Sequence, residues 1–598
     1  MKRASIQMFK RKFMIERVPC VHNFKNKINN HMKTKILFLS FLTLMIFSCS
    51  DFLSYDETSS YTEDQVFTVY ARSTQMATNV YAYMRSDFGV VGNSMRAAGC
   101  DEAEYVWPSS SVHTFYNGTW SSINTVDDLW SHYYKAIRAA NLFLEKGAGQ
   151  TFEENKYQSD YSKAMLKYNN LQYEVRFLRA YFYFELIKRY GGVPLVTKVL
   201  TEDEASSVTR ETYDNVSQFI VNECDTAAKY LPKSYDVSYD LETGRATRMA
   251  ALALKARVLL YGASKLHNNP VVTQKWMDAA KAAKTLIDSA SVYKINTFVA
   301  YDKIPNNIAL PELIYARREA NSGTFEGLNY PIGFVGGNSG TCPTQNLVDA
   351  YEVKKSGSPL DGTAFDWNDP TFTASLYNNP YANRDPRLAF TVVLNNTTWA
   401  DNQKVEAWYG GNSGQQKTGA SQTGYYLKKY VDKTISFQPS GTTATRHVWV
   451  IFRYAEVLLN YAEAMNEAFA NPNYKDATFT LSAVDAVNLV RKRTGVSLIA
   501  IPSTINSDDF RAKVRNERMV ELAFEDHRFW DIRRWMIGPQ TVAIKRTNIV
   551  AIDATKGQFK YTTSTTTDRI WDDKMYYYPI PLAEIYKNGK LLQNPGWE

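Results

Sequence analysis

The stretch YEVRFLRAYFYFELIKRYGGVPL, residues 173–195, decides how this chain folds. It holds no Pro or Gly before Gly191, so it suits an α-helix of about five turns. Its apolar residues reach most of the way round the helix, and such a helix is buried against several neighbours. We expect Glu185 and Arg189, one turn apart, to pair on the face that stays in water. A left-handed Gly191 should end the helix, and Pro194 prevents it from resuming.

Helical patterning recurs along most of the chain. Ala at close-approach positions among Leu and Tyr marks segments such as RMAALALKARVLLYGAS (248–264) and RYAEVLLNYAEAMNEA (453–468). Helix pairs with this habit and a period of about 34 residues are tetratricopeptide-like. Thr62 and Gln65 form a capping-box pattern for a first helix that we expect to reach about Met84. The fold class predicted is therefore mainly α, built on degenerate helix pairs.

A helix is also predicted for residues 510–536, and it is unusually charged for such an aromatic segment. Its acidic and basic side chains should form paired networks. These residues are Glu517, Arg518, Glu521, Glu525, Arg528, Asp531 and Arg534.

One long segment interrupts the helical pattern. Residues 292–448 are rich in Gly, Asn, Thr, Trp and Tyr and predict short strands among loops. So much irregular chain within a compact protein is usually functional. We therefore divide the body into an N-terminal helical part (62–291), an irregular ligand-binding region (292–448) and a C-terminal helical part with a closing segment (449–598).

The amino terminus has the pattern of a secretory signal. Residues 32–48 combine a short basic stretch, an apolar run of about 12 residues and a small residue before Cys49. Cys49 fits a bacterial lipobox, in which the Cys is acylated; the alternative is an ordinary signal peptide followed by a coincidental Cys. Residues 49–61 would then form a tether. Residues 1–31 fit an upstream extension of the gene model, with Met32 as the start.

Charge excludes one class of partner. Residues 1–48 carry ten of the 69 Lys and Arg and only one of the 61 Asp and Glu, so the remainder has a net charge of −1. A chain without basic excess has no electrostatic footprint for nucleic acid. The 40 Tyr, 30 Phe and 12 Trp are compatible with carbohydrate binding, because sugar rings stack on aromatic faces.

Motifs for catalysis and metal binding are missing from the sequence. No GxSxG or HExxH occurs, and no His pair has metal-ligand spacing. Cys100, Cys224 and Cys342 lie far apart without any CxxC, so we predict buried free thiols and no metal or cofactor. Asp101, Glu102 and Glu104 could serve a glycosidase, but the sequence places no second carboxylate opposite them.

Several motifs in one order give the chain a resemblance that covers nearly all of residues 49–598. They include DLWSHYYKAIRAANLFLE, RFLRAYFYFELIKRYGGVPL, GRATRMAALALKARVLLY, PTQNLVDAYE, NRDPRL, RYAEVLLNYAEAMNEA and NERMVELAFEDHRFWDIRRW. In these the chain resembles the SusD/RagB family, surface lipoproteins of the outer membrane in Bacteroidetes.

The resemblance implies a fold and a function. The fold would be four tetratricopeptide-like units forming a curved scaffold, packed against an irregular region. The protein would sit at the cell surface, anchored to outer-membrane lipid through Cys49, as the lid of a SusC-like TonB-dependent transporter. Most described members bind glycans without catalysis, whereas a RagB-like branch handles peptides. A secreted glycoside hydrolase remains a third hypothesis.

Sugar binding requires aromatic faces beside side chains that bond hydroxyl groups. The two irregular regions supply the candidates, although for each aromatic residue core packing is the alternative. The first region gives Asp101, Tyr105, Trp107 and Asn117, and the second gives Tyr330, Phe334, Asn338, Trp367, Trp399 and Trp408.

Overall fold

The computed structural model describes residues 61–233, 235, 244–289, 293–295, 310–353, 364–368 and 379–598. The predictions for residues 1–31, for the signal at 32–48 and for Cys49 lie outside these residues. The chain divides into two compact units, Met1–Val66 and Phe67–Glu598. The limits 62–291, 292–448 and 449–598 stay predictions.

In the first unit, the predicted capping box is confirmed. The backbone N–H of Thr62 donates to Oε1 of Gln65 at 3.1 Å, and the N–H of Gln65 donates to Oγ1 of Thr62 at 3.3 Å. The helix that follows ends early, at Phe67, and a second helix begins at Tyr70.

The described part of the chain is mainly helical, as predicted, and the helices of the core follow one another in space. The helices are α1 (Glu63–Phe67), α2 (Tyr70–Tyr81), α3 (Trp130–Lys146), α4 (Tyr161–Tyr190), α5 (Glu202–Ala205), α6 (Tyr213–Tyr230), α7 (Arg248–Ala263), α8 (Thr273–Ser289), α9 (Thr324–Asn329), α10 (Gln345–Ala350), α11 (Leu388–Thr391), α12 (Tyr454–Phe469), α13 (Ala483–Arg491), α14 (Ser507–Glu521), α15 (Arg528–Arg534) and α16 (Leu582–Lys587). Packed pairs are α3 with α4, α4 with α6, α6 with α7, α7 with α8, α8 with α12, and α12 with α13 and α14. Their likeness to tetratricopeptide units stays a prediction.

Helix α4 contains residues 173–190 of the aromatic-rich stretch 173–195. It starts earlier than predicted and is buried on all sides over its last four turns. Arg189 and Glu185 do pair, with Nη1 of Arg189 2.7 Å from Oε2 of Glu185. The prediction that this pair faces water is wrong, because both side chains are buried. Arg189 also bonds Asp127 at 3.0 Å, which ties α4 to the residues just before α3. Gly191 has the positive φ that was predicted, 69°, and ends the helix.

Short strands link the irregular regions. The strands are β1 (Ala103–Tyr105), β2 (Leu313–Ser322), β3 (Thr341–Pro343), β4 (Val392–Val393), β5 (Tyr426–Leu427), β6 (Phe437–Gln438), β7 (Gly441–Thr442), β8 (Thr445–Arg453), β9 (Ala543–Asp553) and β10 (Gln558–Asp568). The antiparallel pair β1–β3 sets Tyr105 opposite Thr341, so the two regions predicted to hold the ligand are joined. Strands β2 and β8 pair from opposite ends of the second region.

The charged C-terminal segment is a network, as predicted, but most of its partners come from elsewhere in the chain. Glu521 accepts hydrogen bonds from Arg387, Arg453 and Arg493, and all four residues are buried. The single helix predicted for residues 510–536 is interrupted between α14 and α15. There Phe524 adopts a positive φ and its N–H donates to Glu102 at 2.7 Å.

Two further findings concern the whole described chain. Cys100, Cys224 and Cys342 are buried free thiols, as predicted. Among the helices of the described ranges, none is both long and apolar enough to cross a membrane.

Candidate functional site

A cavity of about 300 Å³ in the irregular region gathers three of the predicted ligand residues. Tyr330 and Trp399 form its floor, and Phe334 contributes one wall. The ring of Phe437, at the start of β6, supplies another wall and is half-buried. The cavity therefore has an aromatic interior with a partly accessible ring at its mouth.

The aromatic rings hold one another in place. The ring centroid of Tyr330 lies 5.8 Å from that of Trp399 and 5.5 Å from that of Phe437, both edge to face. Gly336, with φ of 76°, passes so close to Phe437 that a Cβ there would lie 2.4 Å from the ring. The ring of Phe437 is therefore held in place by Tyr330 and Gly336.

The hydroxyl of Tyr330 holds the backbone of residues 432–435 in place. Its oxygen lies 2.6 Å from the carbonyl oxygen of Asp432 and 2.9 Å from that of Ile435, so its single proton is shared between these two acceptors. Burial raises the pKa of Tyr330 above its ordinary value, and the nearby Glu326 carboxylate adds to this rise. The hydroxyl therefore stays protonated as a donor, and it holds residues 432–435 against the cavity floor.

Polar side chains line the mouth. Asp401 and Asn402 follow Trp399 in a tight turn, and both have positive φ, 53° and 56°. From the other side, Nε2 of Gln438 donates to Oδ2 of Asp401 at 3.3 Å. Lys433 is exposed at the same rim. Acceptors and donors of hydrogen bonds thus surround an aromatic floor.

The remaining predicted aromatic residues lie elsewhere. Trp107 is half-buried, and its Nε1 donates to the carbonyl of Asn338 at 2.9 Å. Trp367 is half-buried and donates to Asp349 at 3.0 Å. Trp408 is half-buried beside Phe559.

Trp399 is only 2% exposed, and Trp107, Trp367 and Trp408 are half-buried. None of the four predicted tryptophans is therefore fully open to solvent. Their role in ligand binding stays a prediction.

Asp101, Tyr105 and Asn117 have other partners. The carboxylate of Asp101 is buried and receives two hydrogen bonds from Arg528, at 2.8 and 2.6 Å. Tyr105 is buried in β1. Asn117 is exposed, and its side chain accepts from the backbone N–H and the hydroxyl of Thr119. These three residues lie outside the cavity lining.

The neighbouring acids considered for catalysis are also engaged. Glu104 bonds Arg569 at 2.8 Å, and Glu102 accepts from the backbone of Phe524. Burial raises the pKa of Glu102 to about 8.

Sequence reasoning missed Phe437, Asp401, Asn402, Lys433 and Gln438. Asp401 and Asn402 could have been found, because they directly follow a predicted ligand residue in the run WADN. Nothing local marks Phe437, which reaches the cavity only because Tyr330 binds the backbone about a hundred residues later in the chain.

Two family models match the chain and together span most of it. The model of the SusD family matches residues 312–597, and a second model, described as starch-binding associating with outer membrane, matches residues 51–260. The chain belongs to the SusD/RagB family, which confirms the resemblance seen in its motifs.

Named relatives and solved structures support the same family assignment. A SusD-like protein of Formosa agariphila is 22% identical over 94% of this chain and 98% of its own. The crystal structure of a SusD-like protein from Bacteroides fragilis is similar with a TM-score of 0.72 and 27% identity, covering 90% of this chain and 98% of that one. A SusD-like carbohydrate binding protein from the same species gives 0.69 and 25%, covering 88% and 100%.

Proposed function

We propose that this protein is a surface lipoprotein that binds glycans without hydrolysing them and passes them to a SusC-like TonB-dependent transporter. The observation that carries the proposal is the cavity of Tyr330, Phe334, Trp399 and Phe437 with its polar rim. Membership of the SusD/RagB family and the solved carbohydrate-binding relative support it.

The chemistry of the cavity matches that of a sugar ring. A pyranose presents an apolar C–H face, which packs on an aromatic ring such as that of Phe437, and hydroxyl groups at its edge. Asp401 and Asn402 offer acceptors for those hydroxyls, while Asn402, Gln438 and Lys433 offer donors. A cavity of about 300 Å³ is at the lower end of the range for small-molecule sites. We therefore infer that one sugar residue enters while the rest of the glycan lies outside.

The same cavity does not favour hydrolysis. Glycosidases use two carboxyl groups about 5–10 Å apart on either side of the bond to be cleaved. Among the described residues that line this cavity, Asp401 is the one carboxylate. Asp101 and Glu104 are held in ion pairs with Arg528 and Arg569. This arrangement supports binding rather than cleavage.

Anchoring and delivery complete the proposal. The family model that matches residues 51–260 is described by its association with the outer membrane. Acylation of Cys49 would attach the protein to outer-membrane lipid, because each buried CH2 group of a covalent lipid contributes about 0.8 kcal/mol to membrane binding. The transporter is the partner that the family resemblance implies.

Affinity electrophoresis and calorimetry against a panel of glycans test the proposal. The panel should include starch, other α-glucans, β-glucans and charged polysaccharides, together with a set of oligopeptides. We expect binding to at least one glycan without release of reducing sugar. Binding to peptides alone would instead favour the RagB-like alternative, and release of sugar by the purified protein would favour a hydrolase.

A further inference from the structure

A second concavity, of about 690 Å³, lies far along the chain from the aromatic cavity. Its walls are the first half of α3, residues 194–208 and residues 584–591. We call it the α3 groove. Its apolar lining comes from Trp130, Tyr134, Ile137, Val196, Leu200 and Leu591. The α3 groove and the aromatic cavity share no lining residue.

Hydrogen bonds fix the walls of the α3 groove to one another. The hydroxyl of Tyr134 donates to the carbonyl of Pro194 at 2.8 Å. Nδ2 of Asn588 donates to the carbonyl of Val208 at 2.8 Å. The helix, the loop and the C-terminal segment are therefore held in position without a ligand. A preformed groove costs a partner little ordering entropy on the protein side.

Charge around the groove is unbalanced. Lys135 and Arg138 are exposed and lie one turn apart on α3. Across the described ranges, neither side chain has an ion-pair partner. Lys198 and Lys587 also line the groove, but they pair with Glu204 at 2.5 Å and Glu584 at 2.7 Å.

Glu202 lines the groove as well, and it too has no ion-pair partner among the residues that the structure covers. Two unpaired cations against one unpaired carboxylate favour an anionic partner beside an apolar floor.

Apolar surface continues beyond the groove. Tyr586 and Leu592, on the C-terminal segment that forms one wall, are 80% and 76% exposed. A large side chain exposed beside an apolar groove is typical of a surface that contacts another protein. A small molecule seated in the groove would leave both residues in water, whereas a longer protein segment could cover them.

We propose that the α3 groove docks an acidic, amphipathic segment of another protein. Its aromatic or aliphatic side chains would enter the groove, and its carboxylates would face Lys135 and Arg138. This is the helix-in-groove mode of recognition, in which a few apolar anchors give affinity and the flanking charges give selectivity. The proposal does not depend on glycan binding at the aromatic cavity.

Two synthetic peptides of about 16 residues serve as probes. Both carry Leu and Phe at the spacing of one helix face; the remaining positions are Glu in the first peptide and Lys in the second. Fluorescence anisotropy with the purified protein should show one-to-one binding of the acidic peptide, at least about tenfold tighter than the basic one. The double variant K135E/R138E should abolish or reverse this preference.

Two further variants separate the groove from general charge effects. K281E/K492E makes the same charge change at exposed sites elsewhere, and the acidic peptide should bind it as it binds the unmodified protein. Ala205→Trp fills the groove from an exposed position without changing charge, and both peptides should bind it more weakly. Each variant is first shown to melt as the unmodified protein does.

Three results would overturn the proposal. The acidic and basic peptides could bind equally well, or Ala205→Trp could leave binding unchanged. Light scattering could instead show a dimer that Ala205→Trp dissociates, which would assign the groove to a second copy of this chain. Glycan binding is measured on the same samples, so that a failure of the α3-groove proposal can be told apart from a failure of the glycan-binding proposal.

Discussion

The indole of Trp399 meets the phenol of Tyr330 edge to face, with ring centroids 5.8 Å apart and planes at 77°. The two residues are separated by 69 positions in the sequence and come together only because the irregular region folds on itself. Their contact forms the floor of the aromatic cavity. Phe437 packs against Tyr330 with ring centroids 5.5 Å apart and is the half-buried ring of this cavity.

Removing the accessible ring should weaken glycan binding selectively. Phe437→Ala loses the stacking surface, and we expect affinity for the best glycan of the panel to fall about tenfold, a cost of about 1–2 kcal/mol. The melting temperature should change little, because this ring is only half-buried. Calorimetry measures the affinity. Tyr409→Ala removes a ring that is 69% exposed and outside the cavity lining, so it is the matched control; an equal loss in both variants would contradict the account.

The floor of the cavity should respond differently. Trp399→Ala empties a buried site and should lower the free energy of unfolding by about 3–5 kcal/mol. Trp399→Phe should cost much less, because Nε1 of Trp399 has no hydrogen-bond partner in the described part of the protein. Urea unfolding at pH 7 measures both values. Equal destabilisation by the two variants would contradict the view that the ring volume of Trp399, rather than its N–H, stabilises the floor.

The buried carboxyl of Glu102 should shape the pH dependence of stability. Burial raises the pKa of Glu102 to about 8 from an ordinary value of 4.5. The folded state holds this proton more tightly than the unfolded state does. The resulting contribution to the free energy of unfolding is therefore fully present below about pH 4.5 and is lost as the pH rises to about 8. The loss amounts to at most about 5 kcal/mol.

The variant Glu102→Gln keeps an oxygen that can accept from the N–H of Phe524 but carries no titrating proton. Its free energy of unfolding should therefore vary less between pH 5 and pH 9, and it should exceed that of the unmodified protein at pH 9. Urea unfolding across this range is the measurement. Glu154→Gln, at an exposed position, is the control and should keep the original profile. A parallel decline of all three proteins would refute the role of Glu102.

The lipid anchor can be tested in cells. Cys49→Ala removes the proposed acylation site, and the protein should move from the membrane fraction to the soluble fraction, since no helix in the described ranges can cross a membrane. Fractionation with a carbonate wash measures this. Cys224→Ala, which changes a buried thiol, should stay with the membrane. Persistence of Cys49→Ala in the washed membranes would show that another feature anchors the protein.

Local sequence patterns predicted the helices well. The stretch at 173–195, the capping box at Thr62 and the helical segments around residues 248–264 and 453–468 depend on neighbours a few positions apart, so their signals lie in the sequence itself. The burial of Glu185 and Arg189 could not be read this way. It depends on Asp127, which lies about sixty residues earlier and forms a buried ion pair with Arg189.

The candidate site was predicted only in part, for the same reason. Aromatic composition pointed to Tyr330, Phe334 and Trp399, which line the cavity. Composition could not separate these residues from Trp107 and Trp408, which lie outside the cavity. Contacts with residues distant in the sequence decide where each aromatic side chain lies. Asp101 is an example: its partner Arg528 is more than four hundred residues away.

The most direct test of the central claim is a crystal structure of the protein with an oligosaccharide of the glycan that binds best. We predict density for one sugar residue in the aromatic cavity, with its C–H face on Phe437 and its hydroxyl groups within hydrogen-bonding distance of Asp401 or Asn402. An oligosaccharide bound elsewhere on the protein, with this cavity empty, would contradict the account.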